Sequence, residues 1–229
     1  SFDEFRDITM DFKIQSELNV LLDEGAKLDY LETNLKLFPL DDDRQDLLGF
    51  DVFSDPEAVI EVNDHISYTW TELFNTYSYG LNSKVKVRNE IPKIKSKLKF
   101  PYDFDQDFEL YLSETEFIDV TSEIKSKANE IVEGETDYYV AIYKIAEWTR
   151  NNVEYDLNTL TAKAVKKSSW VFENKQGVCD EITNLFISLL RSIGIPARFV
   201  TGVVYSNIDN GWQNHGWAEV YFPDKGWTS

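Results

Sequence analysis

The sequence predicts an α+β protein of two domains, an antiparallel β-sandwich followed by a half in which helices precede strands. Three observations carry this reading. Apolar and polar residues alternate with a period near two through much of the first hundred residues. The period lengthens to a helical one from Thr121 onward. The chain then returns to strand-like alternation after Pro196.

In order along the chain, Ile8–Ile14 alternates, as does the stretch from Leu28 through Leu37. His65–Thr71 is β-branched and aromatic, and Val85-Lys86-Val87 continues the pattern. Turn chemistry separates these segments at Asp41-Asp42-Asp43 and Ser54-Asp55-Pro56. Several short strands in succession predict a sandwich. The acidic, aromatic run Pro101-Tyr102-Asp103-Phe104-Asp105 has no period and reads as a linker, so the domains are expected at 1–113 and 114–229. Thr121-Ser122-Glu123-Ile124 carries an N-cap signature for a polar helix running to about Glu133, ahead of Gly134. A second helix is expected from about Glu135 to Asn151-Asn152, and a third, short one from Thr161 to Lys167. The helix opened by Cys179 places Ile182, Phe186, Leu189, Leu190 and Ile193 on one stripe, and Gly194 and Pro196 stop it. Strands are expected at Ala197–Tyr205 and Trp217–Phe222, joined by a loop containing Asn210-Gly211.

Composition narrows the function classes. With 229 residues, 42% hydrophobic and 14% aromatic, the chain can bury a substantial core. A net charge of −18 argues against nucleic acid, whose phosphates need clustered Lys and Arg. No apolar run approaches the roughly 18 residues of a membrane span, and no signal segment opens the chain. The first residue is Ser1 rather than Met, so a leader or membrane anchor would lie outside these boundaries. Together with the acidic charge and the β half, that fits an extracytoplasmic or cell-surface protein.

Cys179 is the only cysteine, and His215 is one of two histidines. A lone thiol forms no internal disulfide and lacks the companions of a structural zinc site. Free cysteine is commonly a small buried hydrophobe, but a helix start activates a thiol, because unpaired N–H groups and the helix dipole favour the thiolate. Gly177 permits a tight turn into that helix. Asp180 and Glu181 oppose activation by like charge. As capping acids, they are expected to turn their carboxylates away from the sulfur. Strand alternation sets His215, Trp217, Glu219 and Tyr221 on one face, opposite Gly216, Ala218, Val220 and Phe222. An imidazole so placed can take the thiol proton and return it to a leaving group. His65, beside Asp64 with no cysteine near it in sequence, reads as structural or exposed.

The segment Trp170-Val171-Phe172-Glu173-Asn174-Lys175-Gln176-Gly177-Val178-Cys179, with its continuation Leu185–Gly202, resembles the nucleophile region of the transglutaminase-like superfamily. His215-Gly216-Trp217-Ala218-Glu219-Val220-Tyr221, followed by Gly226-Trp227, resembles that family's histidine strand. The resemblance covers roughly residues 121–229. It implies a papain-like core, with Cys179 as nucleophile and His215 as general acid/base. It also implies a third, orienting aspartate just after the Gly-Trp pair. The chain stops at Ser229 before that position, so the domain is expected to be truncated at its C-terminal end. Asp224 reads as a turn residue and Arg198 as an ion-pair residue; the first N–H groups of the Cys179 helix are the leading candidates for an oxyanion site, with Trp170 and Gln176 as the weaker ones. The chemistry implied is cysteine-dependent acyl transfer on protein or peptide amides. Water as second substrate makes a peptidase or amidase, the preferred reading. A lysine amine makes a crosslinking transglutaminase, and a non-catalytic scaffold is the third alternative. No cofactor or metal is required, and no calcium loop of the EF-hand kind occurs.

Overall fold

The computed structural model describes residues 6–42, 44–88, 97–159, 165–206 and 210–229. The chain divides into two units, Ser1–Ile91 and Pro92–Ser229.

The first unit contains β1 (Asp7–Asn19), β2 (Leu31–Leu35), β3 (Gln45–Asp55), β4 (Val59–Val62), β5 (Ile66–Trp70) and β6 (Thr76–Arg88). They form two antiparallel sheets, ordered β1-β6-β3 and β2-β5-β4. Every second residue of β5 (Ile66, Tyr68, Trp70) is buried, as are Tyr77, Tyr79 and Leu81 of β6. These side chains share one core with Ile14, Leu18 and Val52 from one sheet and Leu31, Leu35 and Ile60 from the other. Polar tips of the large rings find partners: the Tyr68 hydroxyl donates to Gly80 O (2.7 Å) and Trp70 Nε1 to Pro56 O (2.8 Å). β1, β2, β5 and the end of β6 coincide with expected strands. β3 and β4 are additional to them; in β3 a bulge between Leu47 and Gly49 shifts the phase of its alternation.

The second unit contains α1 (Glu109–Leu112), α2 (Ser122–Ile131), α3 (Tyr138–Asn152), β7 (Glu154–Tyr155), α4 (Ser168–Asn174), β8 (Gln176–Gly177), α5 (Cys179–Ser192), β9 (Ala197–Ser206), β10 (Gly211–Phe222) and β11 (Gly226–Thr228). β9, β10 and β11 make an antiparallel sheet with β10 in the middle, and β7 and β8 pair in parallel. The units divide at Ile91/Pro92, whereas the sequence pattern places the boundary at 113/114. The aperiodic aromatic run accounts for the difference: it is not a linker but a strap on the second core. Phe100 is buried, its N–H donates to Thr136 O (2.9 Å), and Phe104 packs on Tyr138 and Tyr221. Arg191, buried on α5, donates to the carbonyls of Ser113 and Ala197.

Local signals explain the helix starts. The Thr121 hydroxyl accepts from Ile124 N–H (3.3 Å), as an N-cap should. α3 starts at Tyr138 rather than near Glu135, because Asp137 is its cap and accepts from Tyr139 N–H (3.1 Å). Glu135 instead binds Lys144 and the N–H groups of Thr136 and Asp137, which hold its carboxyl down at about 2. The helix expected at Thr161–Lys167 lies largely outside the described residues; the next helix, α4, starts at Ser168. α5 differs from the one-stripe expectation. Leu185, Ile187, Leu189 and Leu190 are fully buried, and α2, α3, α4, β9 and β10 all pack on it. A helix enclosed on most sides needs apolar residues around its circumference, not along one stripe. Among the described residues, no helix is long and apolar enough to cross a membrane.

Candidate active site

Cys179 is the first residue of α5, and β8 delivers the chain to it. Glu181 fixes that first turn. Its carboxylate is buried and accepts from Val178 N–H (2.9 Å), Lys166 N–H (3.1 Å) and the Thr159 hydroxyl (3.2 Å). Two main-chain donors and a hydroxyl thus compensate the removal of this charge from water. Glu181 caps the helix start through these bonds. Asp180 differs. Cys179 Sγ donates to Asp180 Oδ1 at 3.5 Å, so this carboxylate turns toward the thiol, correcting the expectation. Its neighbours give the reason, since Glu181 already fills the inward position at the helix start.

His215 lies on β10 opposite Gly202 of β9. Its ring stacks beside Trp217, with centroids 6.4 Å apart and planes inclined by 28°. Trp217 in turn covers Gly202, where a Cβ would come within 2.6 Å of the indole. The thiol and imidazole segments meet one residue away from each functional group. A Cβ at Gly216 would lie 2.5 Å from Asp180 Oδ1, and the Thr183 hydroxyl donates to Gly216 O (3.4 Å). Glycine at 216 is what lets the start of α5 approach β10 so closely. Within the described residues, the thiol's hydrogen-bond acceptor is Asp180 and the imidazole's ring neighbour is Trp217; the two are not hydrogen-bonded to each other.

The remaining residues singled out in the sequence are placed as follows. Arg198 binds Glu219 through Nε (2.8 Å) and Nη2 (2.6 Å) and lies over the Trp227 ring, an ion pair that ties β9, β10 and β11 together. Asp224 accepts from the Tyr139 hydroxyl (2.8 and 3.0 Å) and pairs with Lys225 (3.3 Å), which fastens the β10–β11 turn to α3. Trp227 lies in β11 opposite Tyr221 of β10. Trp170 lies on α4 under the Lys166 ammonium, and Gln176 pairs with Glu154. In the first unit, His65 Nδ1 is 2.6 Å from Asp64 Oδ1. Among the described residues, no cluster of His, Cys, Asp and Glu could hold a metal ion.

One residue at the thiol leaves no signal in the sequence. Tyr155 pairs with Gly177, two residues before Cys179, across the β7–β8 ladder, and its phenol end lies in the neighbourhood of Cys179 and Asp180. Burial of that end of the side chain raises the phenol pKa first, and the Cys179 side chain and Asp180 raise it further, while the Cys179 N–H opposes them. Two-residue strands have no periodic trace, so only the ladder reveals this placement.

Residues 125–229 match the model of the Transglutaminase-like superfamily. The uncharacterized protein YebA of Bacillus subtilis is 25% identical over 172 residues. That match takes in 67% of this chain, but the chain spans only 22% of YebA's length. A solved structure from Cytophaga hutchinsonii, named a "Putative Cysteine Protease", shares the fold with a TM-score of 0.68 at 20% identity, over 96% of this chain and 76% of that one. The periplasmic domain of TgpA from Pseudomonas aeruginosa gives a TM-score of 0.47 at 16% identity, over 89% of this chain and 69% of that one.

Proposed function

With residues 125–229 forming a transglutaminase-like domain, we propose that the protein performs cysteine-dependent acyl transfer on protein or peptide amides, with water as the acceptor. Cys179 Sγ attacks the amide carbonyl while its proton passes to His215. The tetrahedral intermediate then collapses, the C–N bond breaks, and His215 returns the proton to the departing amine. Water, deprotonated by the same imidazole, releases the acyl group from the thioester.

The observation that carries this reading is the meeting of the two segments. The residue after the thiol contacts the residue after the imidazole, at the start of a buried helix and in the central strand of a sheet. That meeting supports a papain-like division of labour, with the nucleophile on the helix and the base on the sheet. Hydrogen bonds between nucleophile and base often tighten only once substrate is bound, which suits the separate resting partners of Cys179 and His215.

A peptide library incubated with the protein and a primary-amine label, then read by mass spectrometry, tests the reading. Cleaved or deamidated peptides are expected, and both Cys179→Ala and His215→Ala should abolish them. Predominant incorporation of amine at glutamine would make the protein a crosslinking enzyme. Products that survive Cys179→Ala would refute thiol chemistry altogether, and an absence of any turnover would favour a scaffold.

A further inference from the structure

The thiol of Cys179 is hydrogen-bonded to the next residue in the chain, with Sγ donating to Asp180 Oδ1 at 3.5 Å. The same oxygen would lie 2.5 Å from a Cβ on Gly216, so it reaches both the sulfur and the strand that carries His215. An ordinary carboxyl is roughly 10,000-fold more acidic than an ordinary thiol. Asp180 therefore holds the S–H by a hydrogen bond without taking its proton. Ionising the sulfur would set two negative charges about 3.5 Å apart in a half-buried place. The helix dipole offers little relief, because Asp180 already draws on the positive end of α5 that would favour a thiolate.

We infer that Asp180 restrains the nucleophile, keeping Cys179 protonated and bound to the carboxylate in the resting protein, away from His215. This rests on the thiol acyl-transfer reading given above. The proton stays on sulfur while Asp180 holds it, and passes to His215 only as the Sγ–C bond forms. Other titratable groups come from each element around the helix start. Glu181 of α5 is engaged by Val178 N–H, Lys166 N–H and the Thr159 hydroxyl. Asp156, next to β7, accepts from Asn158 (2.7 and 2.9 Å), and the Lys166 ammonium lies over the Trp170 ring. Tyr155 of β7 and His215 of β10 carry no negative charge near neutral pH. Asp180 is thus the carboxylate that opposes ionisation of the sulfur.

Asp180→Asn separates this role from a structural one, because it keeps the size of the side chain and removes its charge. Alkylation by neutral iodoacetamide, read by mass spectrometry of the peptide carrying Cys179, reports the thiolate and needs no substrate. At about pH 7 the variant should react about threefold faster, a roughly tenfold gain in thiolate being offset by the lower nucleophilicity of a more acidic thiol. By about pH 10, where the thiol ionises with or without the carboxylate, the gain should vanish. His215→Ala in the otherwise wild-type protein should change the rate at about pH 7 by less than about twofold, since the resting thiol is bound to Asp180. Matching thermal melts verify that the fold is kept. An unchanged or slower rate for Asp180→Asn at about pH 7 overturns the inference. A gain that persists at about pH 10 also overturns it, by showing that the carboxylate only hinders access. So does a large fall on His215→Ala, which would pair the resting thiol with the imidazole. Amide turnover is measured separately on the wild type, so its absence alongside the expected alkylation pattern would defeat the hydrolase reading and leave Asp180 as the restraint.

Discussion

Replacing Glu181 by alanine should be the most destabilising single change at the site. The carboxylate accepts three hydrogen bonds in a buried position. Its loss does not orphan all three donors equally. The Thr159 hydroxyl keeps an alternative acceptor in Asp156 O (2.7 Å). The main-chain N–H groups of Val178 and Lys166 have no second acceptor among the described residues. At about 1–3 kcal/mol for each buried donor left unsatisfied, Glu181→Ala should cost about 4 kcal/mol. Glu181→Gln retains one acceptor oxygen but sets an amide N–H₂ against a donor, for a cost of about 2 kcal/mol. Urea unfolding followed by tryptophan fluorescence suits the measurement, since five of the six tryptophans (Trp148, Trp170, Trp212, Trp217 and Trp227) lie in the second unit. With a slope of about 2 kcal/mol per molar urea, the midpoint for Glu181→Ala should fall by about 2 M. Adding Thr159→Val to Glu181→Ala should cost little more, because that hydrogen bond is already gone. A stability within about 0.5 kcal/mol of wild type would refute the argument, being what a surface substitution gives. So would equal losses for the alanine and glutamine variants.

Two further outcomes follow from the second unit. Tyr139 and Asp224 titrate in opposite senses. Burial and then the bond to Asp224 push the Tyr139 phenol up to about 12 from its ordinary value near 10. The stability this supplies is complete below about pH 10 and is lost as pH rises through about 12. For Asp224, burial acts to raise the carboxyl, but hydrogen bonds from Tyr139 and Lys225 outweigh it and the net shift is downward. Its contribution is therefore lost as pH falls through the depressed value. Tyr139→Phe should flatten the stability profile at both ends while costing about 1 kcal/mol at neutral pH; an unchanged profile in denaturant titrations across pH would contradict the pairing. A fragment starting at residue 92 should melt cooperatively by circular dichroism, whereas one starting at residue 114 should not, having lost Phe100, Phe104 and the Ser113 carbonyl that binds Arg191. Equally sharp melts from both would restore the boundary at 113/114.

What can be read from the sequence depends on neighbours in the chain. The cap at Thr121 and the stop at Gly194 are local chemistry. The alternation of β1 and β5 and the position of Cys179 at a helix start likewise register within a few residues. Cys179 and His215 stand out as candidates on that basis, helped by composition, since neither type is common in the chain. Contacts between distant segments decide the rest. The aromatic run at 100–108 has no period because it packs as single rings onto Tyr138 and Tyr221, not as a repeating face. β3 is hidden by one bulged residue, which reverses the alternation that a period-two reading relies on. Asp180 and Glu181 are adjacent acids on the same helical turn, and nothing local distinguishes them. Glu181 goes inward because the backbone at Val178 and Lys166 supplies donors, and Asp180 is left beside the thiol and Gly216. Tyr155 is set opposite Gly177, beside the start of the nucleophile's helix, only through a ladder two residues long. Backbone propensity and capping act over one or two turns of chain, so sequence records them directly. Which side chain meets which across the fold is set by packing and by unpaired donors brought together from far apart, and only the tertiary structure resolves that.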